Sequence, residues 1–236
     1  MSKHSKYPTK LEPRILRAFN RIIEKKGHIK IIFSGGTFNP IHYGHLIIAQ
    51  NAMEQTESDV TLWVPNGPPP HKPHTVDGNL RVKMTKAATK SNPHFYVTSL
   101  EAARPVFSYT NDTLRQLREE LGPKAEISVI LGEDNLAPLA TWQGGTDEIF
   151  KCRLLIAARK TADQDCGDDE GLLDHWRSKL PQATIERINC PMHSISSTKV
   201  RDLNEDGLSI EYYVPPAVNK IIQQEGLYKR APLPLI

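Results

Sequence analysis

The stretch Ile31-Ile32-Phe33-Ser34-Gly35-Gly36-Thr37-Phe38-Asn39-Pro40-Ile41-His42-Tyr43-Gly44-His45 constrains what this chain can fold into more than any other. The apolar residues from Ile29 to Phe33 suit a strand buried on both faces. Gly35 and Gly36 permit a sharp turn that leaves backbone N–H groups free, and a helical pattern begins near Tyr43. Strand, tight turn and helix in that order make a cradle for an anion, because free amides and the positive end of the helix dipole converge on one point. His42 and His45 are three residues apart, so on the first helical turn they share a face and can both donate hydrogen bonds into that cradle. The same spacing would suit a metal, but no third ligand lies nearby and the cysteines are scattered, so no protein-held metal is expected.

Strand-like runs recur at Val60 to Val64, Phe95 to Thr98, Ile127 to Leu131, Arg153 to Ala157 and Thr184 to Ile188, with helical patterns between most of them. That alternation predicts an α/β fold: a doubly wound, Rossmann-like parallel sheet in a single domain, with ligands at the carboxyl ends of the strands near the switch point. Upstream, Leu11 to Lys26 places Ile15, Leu16, Phe19, Ile22 and Ile23 on one helical face, with Pro13 near the start and Gly27 at the end. Residues 1–28 therefore read as an extension bearing an amphipathic helix, a packing element or a homo-oligomer contact. The main domain is expected over 29–230, with 231–236 as a tail.

The 236 residues suffice for one substantial core. Thirty basic against 27 acidic residues give a net charge of +3, too mild and too dispersed for a nucleic-acid surface. Cys152, Cys166 and Cys190 are an odd number without paired spacing, which suggests neither a disulfide framework nor a zinc ribbon. No apolar stretch follows the basic N-terminus, and no apolar run approaches a membrane span, so a soluble, cytoplasmic protein is expected.

Several strand ends carry distinctive residues. Pro65-Asn66-Gly67-Pro68-Pro69-Pro70-His71-Lys72 is a stiff extended segment that could present Lys72 and backbone amides at a fixed distance, or a plain surface linker. Ser108-Tyr109-Thr110-Asn111-Asp112-Thr113 opens a helix expected over Leu114 to Leu121, its hydroxyls serving as N-caps or as ligand groups. Gly132-Glu133-Asp134 leads into a helical stretch from Leu136 to Trp142, with an acidic residue placed to bind a ribose or to cap. The acidic run 168–170 reads as a solvated loop.

Late in the chain, Ile195-Ser196-Ser197-Thr198-Lys199-Val200-Arg201 sets hydroxyls at a helix start with a cation one turn further in. An N-cap and a surface arginine explain this locally, yet the grouping also suits a polyphosphate.

With the H-x-G-H turn, these residues resemble the nucleotidylyltransferase superfamily, which includes class I aminoacyl-tRNA synthetases. More specifically, the chain is similar to bacterial nicotinate mononucleotide adenylyltransferases from about Ile29 to Tyr228. That resemblance adds Pro69-Pro70-His71-Lys72, Ser108-Tyr109-Thr110 with Asp112-Thr113-Leu114, Leu131-Gly132-Glu133-Asp134 followed by Trp142, and Val214-Pro215-Pro216-Ala217-Val218 to Gly226-Leu227-Tyr228. It implies adenylyl transfer from ATP to nicotinate mononucleotide in NAD synthesis, with Mg2+ carried mainly by phosphates.

The resemblance also implies roles. His42, His45 and Arg201 would be catalytic. Gly35, Gly36, Thr37, Phe38, Gly132, Asp134, Ser196, Ser197 and Thr198 would bind ATP, and Lys72, Ser108, Tyr109, Thr110, Trp142 and Arg159 the mononucleotide. One departure is Asn39, where that family most often has aspartate; an Asn-Pro pair is common in relatives that prefer the amide. Nicotinamide mononucleotide, alone or beside the acid, is therefore the alternative substrate, and a nucleotide sensor on the same fold the non-enzyme alternative.

Overall fold

The computed structural model describes residues 10–67, 75–104, 108–139, 142, 145–157, 169–191 and 194–229. Its centre is a six-stranded, all-parallel sheet of β1 (Ile29–Gly36), β2 (Val60–Pro65), β3 (Phe95–Val97), β4 (Ala125–Gly132), β5 (Arg153–Ala157) and β6 (Thr184–Ile188), in the order β3-β2-β1-β4-β5-β6. The six expected strands are present, joined by helices on both faces. These helices are α1 (Pro13–Lys26), α2 (Tyr43–Gln55), α3 (Gly78–Thr89), α4 (Thr110–Leu121), α5 (Leu136–Leu139), α6 (Asp169–Lys179), α7 (Ser197–Glu205) and α8 (Pro216–Gln224).

Strand alternation divides the core. Ile29, Ile31 and Phe33 of β1, Val60, Leu62 and Val64 of β2, and Leu154 and Ile156 of β5 face a layer containing Leu114 and Leu117 of α4. Ile32 and Leu155 face the opposite side with Ala52 of α2, and Trp63 joins Val218 and Ile222 of α8 there. Both faces are covered, which is why these strands read as unbroken apolar runs.

Helix α1 begins with Pro13 at its first turn and ends at Gly27, whose φ of 82° is left-handed. Its Ile15 and Phe19 are buried in the same layer as β1, and Phe19 meets Tyr96 edge-on at 5.2 Å. The carboxylate of Glu12, just ahead of α1, accepts hydrogen bonds from Thr98 Oγ1, Ser99 N and Ser99 Oγ, fastening the helix to the chain leaving β3. The apolar face of α1 thus rests on this chain's own sheet.

Four local expectations change. Asp169 and Glu170, expected in a solvated loop, open helix α6. Gly35 and Gly36 are the last residues of β1 rather than a turn, and the left-handed residue that follows is Phe38, with φ 47°. The glycines are required by crowding: a Cβ on Gly35 would lie 2.7 Å from Phe33 Cε1, and one on Gly36 2.9 Å from Phe38 Cε1. Helix α4 starts at Thr110, not Leu114; Tyr109 is its N-cap residue without a side-chain cap bond, and Asn111 and Thr113 bond to Glu148 N and Glu101 instead of capping. The helical stretch after β4 is a 3-10 turn, Glu133–Asn135, followed by α5, which ends at Leu139 before Trp142.

Candidate active site

Strand β1 runs to β2 on one side and pairs with β4 on the other, so the switch point lies between β1 and β4. Phe33 pairs with Val129, which brings Gly36 and Gly132, each three residues further on, to the same carboxyl edge. The Asp134 carboxylate lies over the Cα of Gly132, in the space a Cβ would need.

From Gly36 the chain passes through Thr37, Phe38 and the cis Asn39–Pro40 peptide into the N-terminus of α2. His42 is the N-cap residue and His45 the third residue of the helix. Each imidazole faces the other's backbone N–H in a reciprocal capping box, and His45 Nδ1 accepts from His42 N at 3.3 Å. The rings stack 3.7 Å apart, inclined by 27°. An Nδ1 that accepts is unprotonated in the neutral ring, so the proton of His45 resides on Nε2, which makes that nitrogen a donor. Phe38 holds the ring from the other side, edge-on at 5.1 Å, and contacts Trp63 at 5.5 Å.

The second predicted segment meets this turn directly. Ser196 caps α7, accepting from Lys199 N at 3.1 Å. Ser197 Oγ donates to Pro40 O at 2.8 Å; Arg201 donates through Nη1 to Asn39 O at 2.8 Å and through Nη2 to Thr198 Oγ1 at 3.1 Å. Arg201 therefore joins the two motifs, while Thr198 at the start of α7 is exposed. Two helix N-termini, those of α2 and α7, come together on residues 39–42.

The proposed mononucleotide residues are only partly visible. Ser108 and Tyr109 precede α4 and Thr110 opens it, all half-buried; Ser108 Oγ is enclosed without a hydrogen-bond partner among the described residues. Asn111 Oδ1 accepts from Glu148 N at 2.7 Å, and its amide nitrogen lies against Gly145, so the chain following Trp142 returns to the first turn of α4. Trp142 is half-buried against the main core layer. Lys72 and Arg159 lie outside the described residues.

Sequence reasoning assigned no role to Arg81, which is 1% exposed on α3, and underused Tyr228. Arg81 donates from Nε to Val76 O at 2.9 Å, from Nη1 to Thr37 O at 2.7 Å and from Nη2 to Asn66 O at 2.7 Å. Burial lowers its pKa, and the neighbouring Asp77 opposes that shift. The only sequence signal was its spacing of four and eight from Thr85 and Thr89, which share its buried face. Tyr228 Oη donates to Asn39 Oδ1, and burial raises its phenol pKa. Among the described residues no three His, Cys, Asp or Glu side chains converge as a metal site, and no helix is long and apolar enough to cross a membrane.

A parallel sheet of this strand order, with two helix N-termini and stacked histidines gathered at its switch point, defines an α/β protein of the Rossmann type. The chain belongs to the cytidylyltransferase-like family, whose model matches residues 33–203. It is 35% identical over 213 residues to a "probable nicotinate-nucleotide adenylyltransferase" of Moorella thermoacetica, covering 88% of this chain and 94% of that one. A Synechococcus protein of the same description is 40% identical over 197 residues, covering 82% and 92%. The fold is similar to that of Plasmodium falciparum nicotinic acid mononucleotide adenylyltransferase, solved with NaAD, at a TM-score of 0.68 and 20% identity over 85% of this chain and 98% of that one.

Proposed function

We propose that this chain transfers the adenylyl group of ATP to nicotinate mononucleotide, giving deamido-NAD and pyrophosphate, as a cytoplasmic step in NAD synthesis. The observation that carries the reading is the junction of the two motifs: Arg201 and Ser197 of α7 bond to the backbone of Asn39 and Pro40, immediately ahead of the histidine pair. Relatives at 32–40% identity over most of the chain, described as nicotinate-nucleotide adenylyltransferases, support it.

The nucleophile is the 5′-phosphate of the mononucleotide, a monoester already largely dianionic at neutral pH because its second pKa is about 6. No general base is needed. Catalysis consists of holding two polyanions in line and stabilising charge on the α-phosphate and the departing pyrophosphate. In this reading His45, with its proton on Nε2, and His42 donate to ATP phosphates. The N-terminus of α7, Thr198 and the remaining N–H donors of Arg201 hold the β and γ groups, and Gly132 with Asp134 lies along the adenosine. Trp142 stacks on the pyridine ring, and Tyr109, Thr110 and the Ser108 hydroxyl, which has no partner among the described residues, lie around its carboxylate.

The donor set of amides, hydroxyls, imidazoles and guanidinium fits a magnesium ion brought in on the polyphosphate rather than held by side chains. Such an ion supplies charge neutralisation between the phosphates.

A carboxylate accepts hydrogen bonds only, whereas a carboxamide must also place two N–H donors. A pocket of hydroxyl and amide donors therefore favours the acid. The test is parallel kinetics with ATP, magnesium and either nicotinate or nicotinamide mononucleotide, following dinucleotide and pyrophosphate together. A higher kcat/KM for the acid is expected. Equal efficiency or amide preference overturns the substrate, and no product with either overturns the transferase in favour of a nucleotide sensor.

A further inference from the structure

We infer that Arg81 is a positioning residue for adenylyl transfer: its buried guanidinium sets the distance between the anion-binding turn after β1 and the chain that leaves β2 and enters α3. This rests on the function proposed above. Arg81 is 1% exposed, and each of its three nitrogens bonds a backbone carbonyl from a different segment: Thr37 in the turn, Asn66 one residue past β2, and Val76 just ahead of α3. Asn66 N also donates to Gly36 O at 2.9 Å, so the strand end and the guanidinium fix the same two segments together.

The chemistry is specific to arginine. A planar fork reaches three acceptors at fixed angles, and its weaker hydration makes burial less unfavourable than for an ammonium. Lysine retains the charge but has one nitrogen and cannot span the three carbonyls. Removing the group takes away the donor shared by these three carbonyls, so those segments lose their mutual register while the histidines, Arg201 and the amides all remain. Because Arg81 is buried and donates to backbone carbonyls, the loss is expected to fall on in-line geometry rather than on affinity. Displacements of about 1 Å in such arrangements reduce turnover by up to roughly a hundredfold.

The test uses the full chain with Arg81→Lys and Arg81→Ala, measuring kcat per folded molecule, both KM values and thermal unfolding. Arg81→Lys is expected to fold and to lose roughly ten- to a hundredfold in kcat, with both KM values changed by less than about threefold. Low concentrations of guanidinium are expected to restore turnover of Arg81→Ala several-fold and to leave the wild type unchanged. Wild-type kcat in Arg81→Lys overturns the inference, as does a lowered Tm with unchanged kcat per folded molecule, a rise in KM alone, or no guanidinium rescue of a folded Arg81→Ala. If Arg81→Ala does not fold, Arg81→Lys decides. Failure of the proposed function itself would look different, since the wild type would then form no dinucleotide.

Discussion

Tyr228 donates its phenol proton to Asn39 Oδ1 at 2.7 Å, a bond that spans 189 residues and pins the chain after α8 to the turn after β1. Val76 N approaches the same oxygen at 3.4 Å, and Asn204 Nδ2 holds the backbone carbonyls of Leu227 and Tyr228 at 3.0 and 3.2 Å. The Asn39 side-chain oxygen is thus committed to the architecture of the turn. Asn39 is accordingly expected to shape this turn rather than to read an acid against an amide.

This separates two variants. In Asn39→Asp the carboxylate can still accept from Tyr228 and Val76, so the ratio of kcat/KM for the two mononucleotides is expected to stay within about threefold of wild type. In Tyr228→Phe the enclosed Asn39 oxygen loses its strongest donor, which costs about 1 to 3 kcal/mol of stability. Thermal melts and parallel kinetics check both, and a reversal of substrate preference in Asn39→Asp would show that residue 39 does reach the pyridine.

For His45→Ala, the stacked partner of His42 and one half of the capping box disappear together. The loss of a preorganised anion donor predicts about 2.7 to 4 kcal/mol in transition-state stabilisation, roughly a hundred- to a thousandfold in kcat. The cap accounts for about 1 kcal/mol of stability. Single-turnover rates on protein shown to be folded separate these effects; near wild-type turnover would remove His45 from the chemistry.

Phe19 tests the place of α1. It is fully buried, contacts Tyr96 edge-on and lies in the layer that also holds Ile29, Ile31 and Phe33. Phe19→Ala is expected to cost about 3 to 5 kcal/mol of stability, seen as a lowered Tm, with little change in kcat per folded molecule. A Tm within a degree or two of wild type would mean that the helix packs only loosely on the sheet.

Much of this was legible in the chain because the determinants are local. The six strands announce themselves as apolar runs, α1 by Pro13 and Gly27, and each of the two motifs of the candidate site by residues that lie next to each other in sequence. What was hidden depends on partners distant in sequence. Gly35 and Gly36 resemble a turn, yet they are conformationally ordinary strand residues whose missing Cβ makes room for the Phe33 and Phe38 rings. Arg81 resembles a surface cation until its three carbonyls are brought to it by folding. The hydroxyls and amides of Thr110–Thr113 resemble caps, but Thr113 Oγ1 turns inward to Glu101 Oε1 at 2.7 Å and Asn111 reaches Glu148.

That inward bond leads to a pH dependence. Glu101 is 2% exposed, and burial pushes its pKa up from 4.5 to about 7, opposed by the Thr113 hydrogen bond and the charge of Arg104. The folded state therefore holds a proton that the unfolded chain releases near pH 4.5. Between about pH 4.5 and 7 the native state binds more protons, so this group's contribution to stability falls as pH rises and is constant above about 7. The shift corresponds to about 3 kcal/mol of penalty at alkaline pH. Glu101→Gln keeps an oxygen that can accept from Thr113 and removes the charge. Its Tm is expected to exceed the wild-type value at pH 8 and to approach it at pH 5. An equal Tm difference at both pH values would show that Glu101 does not titrate in this window.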